Sequence, residues 1–252
     1  GGTGLTISSG GVVTFASSAN TDAATTADGS AGGAAQGAST ATIGAGVAIT
    51  FATVKNIATV SLGNTVDAHG LTLSATMTSV DPVAPATAPD VQGTYGAAAK
   101  AGASGGKISV AGALGLLILN NTTTAAILAP VTLHNGDATL TAESSAASTV
   151  TALPFDGGVT STNIGVGAAV ALALITDTTS ASLADGVNLS DAHNLTLSAT
   201  AIDSATSEAK MGAAGGKVGI APAVAITLST VKTSASIGTA ASGPWQLSGA
   251  VT

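Results

Sequence analysis

An alternation of larger and smaller apolar residues over residues 164–174, within the stretch 163–183, limits the folds open to this chain. At a period of two, the larger residues fall on one face, namely Ile164, Val166, Ala168, Val170, Leu172 and Leu174. The other face carries Gly165, Gly167, Ala169, Ala171 and Ala173. A helix is disfavoured because its period of 3.6 would mix glycine and leucine around its circumference. The stretch therefore predicts a β-strand with one bulky and one small apolar face.

The same pattern returns through most of the sequence and divides it into repeats. A short marker related to Leu-Thr-Leu-Ser occurs at Gly4–Ser8, Gly70–Ser74, Ala138–Ala142, Asn194–Ser198 and, truncated, Gln246–Ser248. These appearances predict repeats at approximately 5–70, 71–137, 138–194 and 195–246, each of roughly 50 to 67 residues. We expect a single all-β segment, 1–252, built as a parallel β-solenoid (β-helix).

Two proline-containing segments interrupt the pattern, near 77–98 and near 152–161. Because proline cannot donate to a strand ladder, we expect loops that leave the stack there. Insertions in repeat proteins often emerge on the binding face, although surface bulges without a role are the alternative. Residues 16–40 are small and polar. Since the flanking markers keep their spacing, these residues favour a weakly patterned part of the same stack over a linker.

The composition indicates a narrow, uniform interior. Aromatic residues make up 2% of the chain and charged residues 8%, and there are 33 glycines, whereas an ordinary globular core needs bulky side chains to fill irregular volume. The net charge of −7 and the absence of arginine argue against a nucleic-acid partner. The longest apolar runs, 108–119 and 164–175, are too short and glycine-rich for a membrane-spanning helix, which needs about 20 residues.

Three histidines, His69, His134 and His193, each precede a marker, and Asp67 and Asp191 stand two residues before two of them. If a coil takes about 20 residues and coils stack about 4.8 Å apart, histidines about 60 residues apart lie on the order of 14 Å apart, too far to share a metal. We therefore expect structural turns, with the aspartates accepting local backbone hydrogen bonds. The sequence predicts no catalytic residue, no metal site and no cofactor.

The small-residue face is the sequence's candidate for function. Its proposed members are Gly165, Gly167, Ala169, Ala171, Ala221, Ala223 and Ala225. Because neither face of these strands is polar, both faces should be covered. The cover is either another layer of the same chain or a neighbouring molecule, and the hypothesis is that this face mediates filament or bundle formation. The six lysines recur with the repeats and either solubilise strand margins or bind anionic glycans or lipid headgroups.

Residues 165–183, 195–200 and 215–220 together resemble the repeats of very large bacterial surface and secreted proteins, the filamentous-haemagglutinin-like and leukotoxin-like group. The resemblance implies a parallel β-solenoid stalk that is exported across the outer membrane and is displayed on the cell surface or released. It brings no catalytic residues.

We accordingly expect a structural and adhesive module that contacts itself, neighbouring repeats, or host or cell-surface glycans. The alternative is a scaffold region of a secreted toxin or carbohydrate-active protein, which a clustered polar cleft would favour.

Overall fold

The computed structural model describes residues 4–31, 41–77, 92–242 and 245–252, and in these ranges the protein is all-β without a helix. The strands are β1 (Thr6–Ser8), β2 (Val13–Ala19), β3 (Ala23–Asp28), β4 (Ala41–Val60), β5 (Thr65–Asp67), β6 (Leu71–Met77), β7 (Gly93–Ile127), β8 (Val131–Leu183), β9 (Leu189–Ala209), β10 (Ala213–Gly215), β11 (Val218–Ile220) and β12 (Ala223–Ile237). The alternating stretch is part of β8, so the strand prediction is confirmed.

Strands pair in parallel with the equivalent strands of the next repeat. Ala41 in β4 pairs with Ile108 in β7, Ile108 pairs with Ile164 in β8, and Ile164 pairs with Val218 in β11. These partners are 67, 56 and 54 residues apart in the sequence. One repeat therefore contributes one layer along the direction of strand pairing, not the three short coils that the sequence analysis assumed.

The markers of the inner repeats share one register, because Leu71 pairs with Ala138 and Ala138 pairs with Leu195. The outer markers do not. Val13 takes the place beside Leu71, and β1 pairs with β5. At the other end, Val251 bridges to Leu195. A period of two is satisfied equally well by the Val-Thr-Phe sequence that opens β2, so the pattern alone could not fix which copy pairs with which.

Backbone corners turn the chain within β8 without ending its pairing. Positive φ angles occur at His134–Asn135 (46° and 64°) and at Asp156–Gly158 (43°, 85° and 99°). The loop expected near 152–161 is the second of these corners. Pro154 still lies opposite Ala101 before it, and Val159 resumes pairing after it. A proline next to a corner removes little from the ladder, so the chain does not have to leave the stack.

The other two uncertain segments are only partly within the described ranges. β2 and β3 bring much of 16–40 into the stack by pairing with β6 and β7, while 32–40 lie outside the described residues. Within the insertion expected near 77–98, residues 78–91 also lie outside the described residues. β7 begins at Gly93, opposite Ala146.

The interior contains two apolar clusters. One is rich in leucine and includes Leu71, Leu140 and Leu195. The other is rich in alanine and is formed where the long strands face the opposite wall of the stack. There, a Cβ added to Gly46 would lie 2.1 Å from the carbonyl oxygen of Lys100, a distance at which atoms overlap. The small residues therefore allow two backbone walls to approach closely, which explains a core with few aromatic side chains.

Candidate functional site

Residues 41–60, 108–127, 164–183 and 218–237 pair side by side and form one wall. In its first half, the inner face carries mainly small residues and the outer face mainly large ones. On β8, Gly165, Gly167, Ala169 and Ala171 all point inward and are buried, with Ala171 0% exposed. A Cβ added to Gly167 would lie 2.4 Å from Cγ of Met211 on the opposite wall. In this repeat the small face is thus covered by the chain itself, the first of the two possibilities raised by the sequence.

The remaining members of the proposed small-residue set, Ala221, Ala223 and Ala225, occupy equivalent positions in the last described layer and are exposed. Ala223 and Ala225 pair with Ala169 and Ala171 of β8, and β12 has no second pairing partner among the described strands. The candidate set is therefore divided: its β8 members are enclosed, and its β11–β12 members lie at the end of the stack.

The opposite, outer face carries an exposed apolar surface. We define the outer patch as the outward-facing side chains of residues 41–51, 108–118, 164–174 and 218–228, which are equivalent by register. Exposure is 72% at Ile43 and 69% at Phe51 in the first layer, and it remains 38% at Ile164 and Val170 in an inner layer. These ranges contain no charged residue. Large apolar side chains are therefore exposed in the interior layers of the stack and not only at its ends.

A row that is small in three of the four layers crosses the outer patch. It consists of Ala45, Gly112 and Ala168, with Pro222 beside them in the last described layer. A Cβ added to Gly112 would meet no atom within 4 Å, so the row forms a groove across these three layers. Rows of valine, isoleucine and leucine flank it on both sides. The outer patch therefore has relief, with one groove running across the strands between two ridges.

Beyond the outer patch, the same outer face becomes polar. Thr176, Thr178, Ser180 and Ser182 continue β8 outward, and hydroxyl or amide residues occupy most of the paired positions on β7 and β12. Lys55 and Lys232 share one row there and are exposed. The outer face thus has an apolar half and a hydroxyl half, and the two lysines belong to the hydroxyl half.

A buried hydrogen-bond network interrupts the inner face. Nδ2 of Asn121 donates to Oδ2 of Asp177 at 2.7 Å and contacts Oγ of Ser144 at 2.6 Å. The Ser144 hydroxyl also donates to Oδ2 of Asp177 at 2.6 Å, and the Thr179 hydroxyl donates to Oδ1 at 2.9 Å. Asp177 is 1% exposed. The sequence analysis missed this network, although Asp177 shares the inward parity of Gly165 to Ile175.

A second interior carboxylate lies nearby. Burial raises the pKa of Asp203 to about 6, and the charge of Asp177 contributes in the same direction. Neither carboxylate oxygen has a hydrogen-bond partner among the described residues. Asp203 lines a cavity of about 80 Å³ together with Ser148 and Ile175. This arrangement makes the interior sensitive to pH, since the folded state favours the protonated acid.

The histidines are much closer together than expected. The ring centroids of His69 and His134 are 5.3 Å apart, and Nε2 of His134 contacts Oδ1 of Asp67 at 2.5 Å. Nδ1 of His134 lies 3.9 Å from Oδ2 of Asp191. The expected separation of about 14 Å is wrong because one repeat forms one layer, so residues one repeat apart are neighbours. The described contact of Asp67 is also with a side chain of the next layer, not with local backbone.

The third histidine belongs to the equivalent turn of the next layer, where Ala192 pairs with Gly136. Nδ1 of His193 lies 3.1 Å from Oδ1 of Asp137, which also accepts from the backbone N–H of Asn194 at 3.1 Å. The Asn194 backbone bond and then the His193 contact hold the pKa of Asp137 below its usual value. These groups are exposed and tie one turn to the next. In the described ranges, no three histidine or acidic side chains are placed to hold a metal ion.

One cleft of about 470 Å³ lies at the Asp156–Gly158 corner and is lined also by Ser30, Ser104 and Phe155. Among the described residues of its lining, Asp156 is the one ionisable group, and Ser30, Ser104 and Thr160 add hydroxyl groups.

Comparison with known proteins gives no relative: no protein-family model, no curated protein and no solved structure matches this chain. Among the described residues, there is no helix with the length and hydropathy needed to cross a membrane. Fold and surface together define an all-β protein of parallel, in-register repeats with an apolar outer patch.

Proposed function

We propose that the chain is a structural and adhesive repeat module, a segment of a parallel β-solenoid in an elongated extracellular bacterial protein. The observation that carries this proposal is the register: long strands of four successive repeats lie side by side in parallel, with partners 54 to 67 residues apart. Such a stack buries its core between neighbouring repeats, and further repeats extend it in the same way. The resemblance of the repeats to large bacterial surface proteins supports the extracellular setting.

The register also sets how such a module would grow. Each repeat adds one layer, about 4.8 Å along the stack. A rod of about 100 Å would therefore need roughly 20 such layers. An elongated form would therefore need a long series of repeats, of which the present segment would be a few layers.

Duplicating one repeat tests the proposal. A second copy of residues 138–194 inserted after residue 194 should thicken the particle by about 4.8 Å in small-angle X-ray scattering and leave its cross-section unchanged. Thickening by about 14 Å would instead indicate short coils of about 20 residues. Growth in all three dimensions would contradict a solenoid.

A further inference from the structure

We propose that the outer patch is a dimerisation surface on which the same patch of a second copy of this chain packs face to face. The inference deepens the proposed function, because it names the partner that would join one β-solenoid module to another side by side. Its starting point is the exposure of large apolar side chains in the inner layers, such as Ile164 and Val170, where the end of the stack cannot be the cause.

The area of the patch fits a protein partner. Four strands about 4.8 Å apart and about 3.3 Å per residue over eleven residues give roughly 700 Å² of apolar sheet surface. Monomeric proteins rarely leave a contiguous apolar surface of this size exposed. Two copies would together bury about 1,400 Å², which lies within the range of specific, stable interfaces. The patch is thus large enough to hold a dimer by itself.

The relief of the patch is complementary to itself. The patch has six rows across the strands, starting at Ala41 and ending at Phe51, and the groove through Ala45 is its third row. A twofold axis along the stack, midway between the third and fourth rows, superposes the whole patch on its copy. It then seats the Val47 row of each copy in the groove of the other. In the first layer the same operation places the small Ala41 opposite the large Phe51.

The charge pattern agrees with this arrangement. No charged residue lies within the patch, so a copy can dock without burying an unpaired charge. The exposed lysines lie only at its margins, Lys55 beyond the Phe51 row and Lys107 and Lys217 directly before Ile108 and Val218. Sheets that pack face to face stand about 10 Å apart with their inner side chains interdigitated, which the rows of Val, Ile and Leu can do.

The test measures the mass of the native chain and of two patch variants by sedimentation velocity over a range of concentrations. Val170→Glu places a charge in the row that packs into the groove. We expect the dissociation constant of the dimer to rise at least about 100-fold. Gly112→Leu fills the groove at a position where a Cβ meets nothing, and we expect dimerisation to weaken at least about 10-fold with the fold retained. Thr178→Glu, on the same outer face of β8 but outside the patch, is the matched control and should dimerise like the native chain.

Several outcomes would overturn the inference. These are a native chain that stays monomeric up to about 100 µM, a dimer unaffected by both patch variants, and a mass that grows without limit, since a twofold contact closes at two copies. Binding of monomeric protein to phosphatidylcholine vesicles in place of dimerisation would identify a lipid surface instead. Circular dichroism of each variant separates lost pairing from lost folding. A monomer that still thickens by one layer on repeat duplication would reject the dimer and leave the proposed function intact.

Discussion

The inner and outer faces of the long strands alternate along the same backbone, yet one face is buried and the other is exposed. On β8, Ala171 is fully buried against the opposite wall, while its neighbour Val170 is 38% exposed. Usual binary patterning would turn the larger side chain inward. Here the walls approach so closely at Gly44, Gly46 and Gly167 that an added Cβ would overlap atoms of the opposite wall. The comparison teaches that interior space decides which face is buried, and that the larger face is thereby left exposed.

The largest difference in stability between the two faces is expected when a charge is placed on the inner face. Ala171→Glu would bury an unpaired carboxylate in a space that fits a methyl group, and we expect a loss of at least about 4 kcal/mol in the free energy of unfolding. This is a large part of the stability of a typical domain, so much of the chain should be unfolded. Val170→Glu, one residue away on the outer face, should lower the unfolding midpoint far less when the chains are compared as monomers at low concentration, because dimerisation itself would stabilise the native fold. Equal losses in both variants would contradict the assignment of the two faces.

A polar deletion on the inner face should have a smaller effect. Asn121→Ala removes the donor that reaches both Ser144 and Asp177 and leaves a buried carboxylate under-satisfied. We expect a loss of about 2 kcal/mol, measured by urea denaturation. Asn120→Ala, at the adjacent exposed position, is the matched control and should change stability by less than about 0.5 kcal/mol. A neutral effect of Asn121→Ala would show that the network is not formed as described.

The smallest expected effect depends on pH. Because the pKa of Asp203 is raised from 3.8 to about 6, its favourable contribution is complete below pH 3.8 and is lost as the pH rises through about 6. Asp203→Asn keeps the neutral form at every pH. The variant should match the native chain at pH 3.5 and be more stable by about 1 to 2 kcal/mol at pH 7. A gain of the same size at both pH values would show that desolvation of the charged form is not the cause.

Part of this architecture could be predicted from the sequence, because the period of two in residues 163–183 fixes both the strand and the membership of its two faces. Which of the two faces is turned to the interior could not be predicted. It depends on how closely the opposite wall, with residues such as Met211, approaches Gly167. Parallel pairing between repeats followed from the spacing of the inner markers. The number of residues per layer could not be predicted, because apolar alternation shows only which residues of a strand share a face. It does not show how the chain passes from one strand to the next.

The proposed dimer surface could not be predicted for the same reason. Sequence analysis selected the glycine and alanine positions because a face without polar residues needs a cover, and for Ala169 and Ala171 the chain supplies that cover. The larger face was not singled out, because both faces were expected to be covered. Asp177 offered a clearer signal, since its parity places it among the inward residues, where a charged group needs partners.

Thiol labelling of single cysteines tests the orientation of the wall most directly, because the native chain contains no cysteine. Ala173 is 0% exposed on the inner face of β8, and Thr176 is exposed on the outer face beyond the proposed dimer contact. The account predicts that Thr176→Cys reacts with a maleimide in native buffer nearly as fast as in denaturant, while Ala173→Cys reacts only after unfolding. Rapid native labelling of Ala173→Cys together with protection of Thr176→Cys would contradict it.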